Sequence, residues 1–162
     1  MIIKTPYGTP VLAQRSDLIG AMEAPMPMIS ETARLGTSAH NAWRDIGSFG
    51  AVGHWHPMLA EVEAQGDRPG ARRRVITTQG ARQVERLSAF DPEGFRYTYT
   101  IEKSALPVSN YRAELRVDEA GRDRSRLTWS AAFDATANAP ETTEAVRQFL
   151  RAGLDNLTAR YP

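Results

Sequence analysis

From about Ala71 to Phe133 the chain is a near-continuous run of alternating apolar and polar segments, and from about Pro140 to Tyr161 the apolar period lengthens to that of a helix. Consecutive hairpins ending in one long amphipathic helix can bury both apolar faces only against each other. The pattern therefore predicts a curved antiparallel sheet closing on a C-terminal helix. Such a shape encloses a cavity, which is where a protein of this size holds a small hydrophobic molecule.

The strands can be read one by one. Ile29, Glu31, Ala33 and Leu35 alternate with polar neighbours as a first strand. Thr37 or Ser38 caps a short helix with Ala39, Ala42, Trp43 and Ile46 on its apolar face. Gly47, Gly50 and Gly53 interrupt the next stretch, so Phe49 to Leu59 reads as a broken helix or a structured loop. Leu59–Ala64, Ala71–Thr78 and Arg82–Phe90 are candidate strands, the last two joined at Gln79-Gly80. Asp91-Pro92-Glu93-Gly94 is a turn. Then come Phe95, Tyr97, Tyr99 and Ile101; Tyr111, Ala113, Leu115 and Val117; and Leu127, Trp129, Ala131 and Phe133, each set alternating with polar residues. In the C-terminal helix Val146, Phe149, Leu150, Gly153, Leu154 and Leu157 share a face. Residues 1–27, with Pro6, Gly8, Pro10, Gly20, Pro25 and Pro27, lack this periodicity. They are expected to be an extension: an arm packed on a neighbouring copy, giving a homodimer, a disordered segment, or an over-long start before a domain of residues 28–162.

Composition removes several function classes. There is no cysteine, hence no disulfide, thiolate nucleophile or Cys-ligated metal. A formal net charge of +1 gives no electrostatic case for nucleic acid. Of 20 basic residues only Lys4 and Lys103 are lysine. No stretch approaches the roughly 20 apolar residues that span a bilayer. The early prolines and Gly8 break up the region where a secretory signal would have its apolar core, so a cytoplasmic location is expected.

With the element order in place, the local sequence becomes recognisable. Ala42-Trp43-Arg44-Asp45-Ile46-Gly47-Ser48-Phe49-Gly50, Trp55-His56-Pro57, Val84-Glu85-Arg86-Leu87, Tyr97-Thr98-Tyr99, Leu106 to Ala113 and Trp129-Ser130 follow one another in the order seen in the SRPBCC superfamily. The chain resembles its bacterial polyketide cyclase/dehydrase-like branch, related to the START lipid-transfer domains, from about Met28 to Tyr161. The resemblance implies an α+β helix-grip (START-like) fold, with the sheet wrapped around the C-terminal helix and two short helices after the first strand. It also implies a pocket for a lipid-, polyketide- or aromatic-like ligand. It transfers no catalytic set, and no cofactor is expected.

Three readings of function follow: a binder of a hydrophobic or amphipathic small molecule, a cyclase- or dehydratase-type enzyme acting on a small carbonyl substrate, and a partner-binding module with an incidental cavity. The cavity candidates are Arg73, Glu85, Tyr97, Tyr99, Tyr111, Trp129, Phe149 and Gly153. The aromatic rings serve equally as core or as pocket lining. Arg73 and Glu85 are placed on inward faces by Val75 and Leu87 two residues along, and are expected to pair or to face a polar ligand group. Their alternative is an exposed pair at a sheet edge, worth little. His54-Trp55-His56-Pro57 is the most chemical-looking motif, but i and i+2 histidines in a loop point apart and no acidic cluster completes a metal site. Trp55 is therefore expected to pack, with both histidines near the surface, and His40 to face solvent.

Overall fold

The computed structural model describes residues 27–162. The proposed arm, and with it the dimer contact, lies outside the described residues apart from Pro27. Strand β1 (Met28–Leu35) is followed by helix α1 (Ala39–Ile46), a 3₁₀ turn (Phe49–Ala51) and the short helix α2 (Val52–Trp55). Strands β2 (Leu59–Ala64), β3 (Arg72–Thr77), β4 (Arg82–Asp91), β5 (Arg96–Lys103), β6 (Val108–Glu119) and β7 (Ser125–Ala135) precede helix α3 (Ala139–Arg160). The seven strands form one antiparallel sheet in the order β1-β7-β6-β5-β4-β3-β2. The two helices after β1 carry the chain to the far edge, and a meander of hairpins brings it back to pair with β1.

Each element forms for a local reason. Ser38 caps α1 by accepting from the Asn41 backbone N–H, and the predicted apolar face, Ala39, Ala42, Trp43 and Ile46, is the buried one. Helix α3 opens with Pro140 in its first turn, carries Glu141 there and Arg160 in its last turn, and buries Thr142, Val146, Leu150, Gly153, Leu154 and Leu157. Arg147 and Arg151 bind the two Glu31 carboxylate oxygens at 3.2 Å each, tying α3 to the edge strand β1. The core fills the space between α3 and the concave sheet face, with Leu115, Leu127, Phe133, Leu150, Leu154 and Leu157 fully buried.

Register shifts bend the sheet. They occur at Leu59/Glu61 in β2, at Val84/Glu85 and Leu87/Ala89 in β4, and at Ser109/Arg112 in β6. An extra residue on one strand increases local twist and re-aims the side chains beside it. The β6 irregularity contains Asn110 at φ 51°, a left-handed conformation that asparagine tolerates, and its side-chain N–H donates to Asp134 at 2.8 Å.

Of the two readings of the segment after Gly47, the broken helix is the one that forms: a 3₁₀ turn leading directly into one turn of α-helix. One local expectation is corrected. His56 is buried at 3% exposure instead of lying near the surface, because Trp55, Trp129 and Phe149 surround its ring. Trp55 is core, as expected, while His40 and His54 are exposed.

Candidate functional site

Arg73 and Glu85 stand directly opposite each other on β3 and β4, each with its strand's apolar residues facing inward. Arg73 is 1% exposed and Glu85 3%. The Arg73 Nε donates to Glu85 Oε2, and its Nη1 donates to the Phe49 carbonyl at 2.6 Å and to the Tyr97 hydroxyl at 3.4 Å. The guanidinium also lies 4.0 Å from the Phe49 ring centre and 4.9 Å from that of Tyr99, within cation–π range. Burial opposes the Arg73 charge, but Glu85 and the neighbouring tyrosines outweigh it and hold its pKa above the ordinary value.

The network continues toward the sheet's open end. Glu85 Oε1 accepts from the Gln83 amide at 2.9 Å, Gln83 Oε1 accepts from the Ser104 hydroxyl at 3.0 Å, and Ser104 Oγ accepts from the Leu106 N–H at 3.0 Å. On the next strand Tyr97 packs edge-on against Phe49, and the Tyr99 hydroxyl accepts from Trp129 Nε1 at 3.1 Å. Burial raises the pKa of Tyr97, Tyr99 and Tyr111; for Tyr99 the nearby Tyr111 and Glu85 add to it, and for Tyr111 Glu85 does so. All three remain neutral phenols at physiological pH.

Between this network and the N-terminal half of α3 lies a cavity of about 260 Å³. Glu85, Tyr99, Tyr111 and Ile101 line its sheet side, Val146 and Phe149 its helix side, and Arg82 is the exposed charge at its rim. The register shifts at Val84/Glu85 and Ser109/Arg112 fall beside Glu85 and Tyr111, so these two of the sheet's bends aim polar groups into the cavity. Of the eight residues singled out in the sequence, Glu85, Tyr99, Tyr111 and Phe149 line the cavity. Arg73, Tyr97 and Trp129 stand behind that lining and touch it, Arg73 at Glu85 and the two rings at Tyr99. Gly153 lies elsewhere on α3, where an added Cβ would come within 2.8 Å of both Trp55 and His56. A larger groove of about 870 Å³ at the β1 edge is lined by Arg34, Arg124 and Arg126 and by the chain's C-terminal residues, outside the space between sheet and helix.

Sequence reasoning weighed His56 but placed it near the surface, and it missed Gln83 and Ser104. His56 Nδ1 accepts from the Met58 N–H at 3.1 Å, so Nε2 carries the proton and donates to the Phe149 carbonyl at 2.9 Å. The ring stacks on Phe149 at 4.0 Å. Burial lowers its pKa to about 4, with Arg73 adding to the effect against the Phe149 hydrogen bond. His56 is thus neutral with both nitrogens occupied, and it cannot act as a base. Among the described residues no three His, Asp or Glu side chains gather as a metal site.

The fold is shared widely. The XoxI protein of Bacillus cereus superposes with a TM-score of 0.79 at 24% identity, over 84% of this chain and 96% of that one. A Thermobifida fusca protein gives 0.71 at 28%, over 83% and 92%. The ZhuI aromatase/cyclase of a Streptomyces species gives 0.62 at 18%, over 83% and 93%. No curated protein matches the sequence. The family model described as polyketide cyclase/dehydrase and lipid transport matches residues 26–162, the whole of the sheet and its helix, and the chain belongs to that family.

Proposed function

We propose that the protein binds a compact amphipathic small molecule in the cavity between the sheet and the first half of α3. The observation that carries this reading is the cavity itself: apolar walls from Ile101, Val146 and Phe149 around a few inward polar groups, Glu85, Tyr99 and Tyr111. At about 260 Å³ it lies just below the ~300–1,000 Å³ usual for small-molecule sites, which suits a compact ring system and not a whole membrane lipid.

The family match also supports a cyclase or dehydratase reading, and two neutral phenols could polarise a carbonyl. Against it stands the state of the two candidate bases among the described residues beside the cavity: His56 is fully hydrogen-bonded and Glu85 is held by Arg73 and Gln83. Binding without turnover is the reading favoured here.

Native mass spectrometry of purified protein, followed by titration with naphthalene-type probes, tests it. A stoichiometric complex or a saturable rise in melting temperature is expected. Ala145→Phe, which fills the helix side of the cavity, should abolish both. Equal binding by wild type and Ala145→Phe would place any ligand elsewhere, and conversion of a carbonyl probe to a new product would favour the enzyme.

A further inference from the structure

Strands β1, β6 and β7 end together, with Leu35 opposite Ser125 and Ser125 opposite Glu119. The groove of about 870 Å³ runs round this end of the sheet. Ala33, Leu35 and Ser125, all buried, form its inner side, and the exposed Arg34, Arg124 and Arg126 its outer side. Arg34 is the direct cross-strand neighbour of Arg126, and like charges so placed repel. Asp118, across from Arg126 on β6, is taken by Arg116 at 3.0 Å, and Glu119 accepts from the Ala39 N–H. Among the described residues none of the three arginines has an ion-pair partner, the carboxylate of the bordering Pro162 included. No Asp or Glu side chain lines the groove. Ser125 adds a second, independent sign of a missing partner. It is 1% exposed, and its hydroxyl is buried with no hydrogen-bond partner among the described residues. The other two hydroxyls at the groove are committed, Thr158 to the Leu154 carbonyl and Tyr161 to Asp45.

We propose that this groove is a second ligand site, separate from the cavity, and that it takes a phosphate monoester. The phosphate oxygens accept from Arg34 and Arg126, whose mutual repulsion the dianion removes. Arg124 completes the charge, and the Ser125 hydroxyl donates to an oxygen on the inner side. Guanidinium forks match the several oxygens of a phosphate, and three of them balance its double charge better than the single charge of a carboxylate. At about 870 Å³ the groove holds more than a phosphate, so the esterified group has room beside Ala33 and Leu35. A soluble phosphate ester and the headgroup of phosphatidic acid present the same chemistry.

Isothermal titration of glycerol 3-phosphate and glycerate into the full chain at pH 7.5 tests the site, with flotation on phosphatidylcholine vesicles with and without phosphatidic acid as a second arm. Glycerol 3-phosphate should bind at least tenfold tighter than glycerate. Arg34→Gln combined with Arg126→Gln should weaken it about tenfold without lowering the melting temperature, since the pair repels in the free protein. Ser125→Ala should weaken it about fivefold, again with the melting temperature unchanged or raised, because the hydroxyl has no partner to lose. Ala145→Phe, which fills the cavity, should leave the affinity as it is. Vesicle binding that needs phosphatidic acid and the arginine pair would identify a lipid headgroup as the source, and glycerol 3-phosphate binding without it a soluble ester; either supports the site. Failure of both probes, glycerate binding as tightly as glycerol 3-phosphate, or binding indifferent to the arginine pair or to Ser125→Ala would overturn it. Loss of binding in Ala145→Phe would place the phosphate in the cavity and overturn it equally.

Discussion

Arg73 and Glu85 are the residues on which the site turns, and their environment separates two roles that look alike in sequence. Arg73 donates to Glu85, the Phe49 carbonyl and the Tyr97 hydroxyl and is not itself part of the cavity lining, while Glu85 faces both the pair and the cavity. Arg73→Met should therefore destabilise the protein by about 3–5 kcal/mol in denaturant unfolding, since it strands a buried carboxylate. Arg73→Met combined with Glu85→Leu should recover much of that loss, because the desolvated charge goes with its partner. A double variant no more stable than the single would mean that the pair contributes through geometry other than its charge. The inward placement of both residues was legible from Val75 and Leu87, since strand periodicity fixes a face two residues at a time. Their pairing across β3 and β4 was one of two expectations, and the choice between it and a ligand contact was not legible, because register depends on where the hairpin closes. The burial of His56 was equally hidden: it follows a single helical turn, where no period says which way a side chain points.

At the scale of the element, helix α3 is held by close approach as much as by its apolar stripe. Gly153 faces Trp55 and His56, and a methyl group there would come within 2.8 Å of both rings. Alanine is the better helix former by about 1 kcal/mol, but overpacking a filled core costs about 1–3 kcal/mol. Gly153→Ala should accordingly lower the melting temperature despite its helical propensity, whereas an unchanged or raised value would show that Trp55 and His56 can retreat freely. The same logic explains the segment that sequence periodicity left ambiguous. A Cβ on Gly53 would meet Val62 at 2.8 Å and one on Gly50 would meet Ala64 at 3.1 Å, so these glycines let the turn and α2 lie flat on β2. Their reason is tertiary, and glycine in a sequence says only that the backbone is free. Strands β5, β6 and β7 and helix α3, by contrast, were readable because one face of each is buried and the other is wet. The bulges that aim Glu85 and Tyr111 leave no such trace.

From residue 27 on, the fold is one sheet closed over one long helix, and the order of its second half was legible because the period lengthens after the last strand. What the chain order did not reveal is that β2 lies at the far edge from β1, so that the segment carrying His56 crosses the end of the core and meets α3 at Phe149. That crossing couples the stability of the entire fold to pH. Burial lowers the His56 pKa from 6.5 to about 4, so between these values the unfolded chain takes up a proton that the folded protein refuses. Stability is then fully present above pH 6.5 and falls as the pH drops through the window, at about 1.4 kcal/mol per pH unit. The loss between pH 6.5 and 5 is about 1.5 kcal/mol, because the slope is only half its limiting value at pH 6.5. The hydrogen bond from Arg72 lowers the Glu102 pKa from its ordinary carboxylate value. Denaturant unfolding at pH 7.5, 6.5, 5.8 and 5 should show the decline in wild type. His56→Leu should start less stable, having lost the bonds to Phe149 and Met58, but should vary much less across the same interval. Parallel curves for the two proteins would mean that His56 takes up its proton in the folded state as readily as in the unfolded chain, and that the pin between α2 and α3 is insensitive to charge.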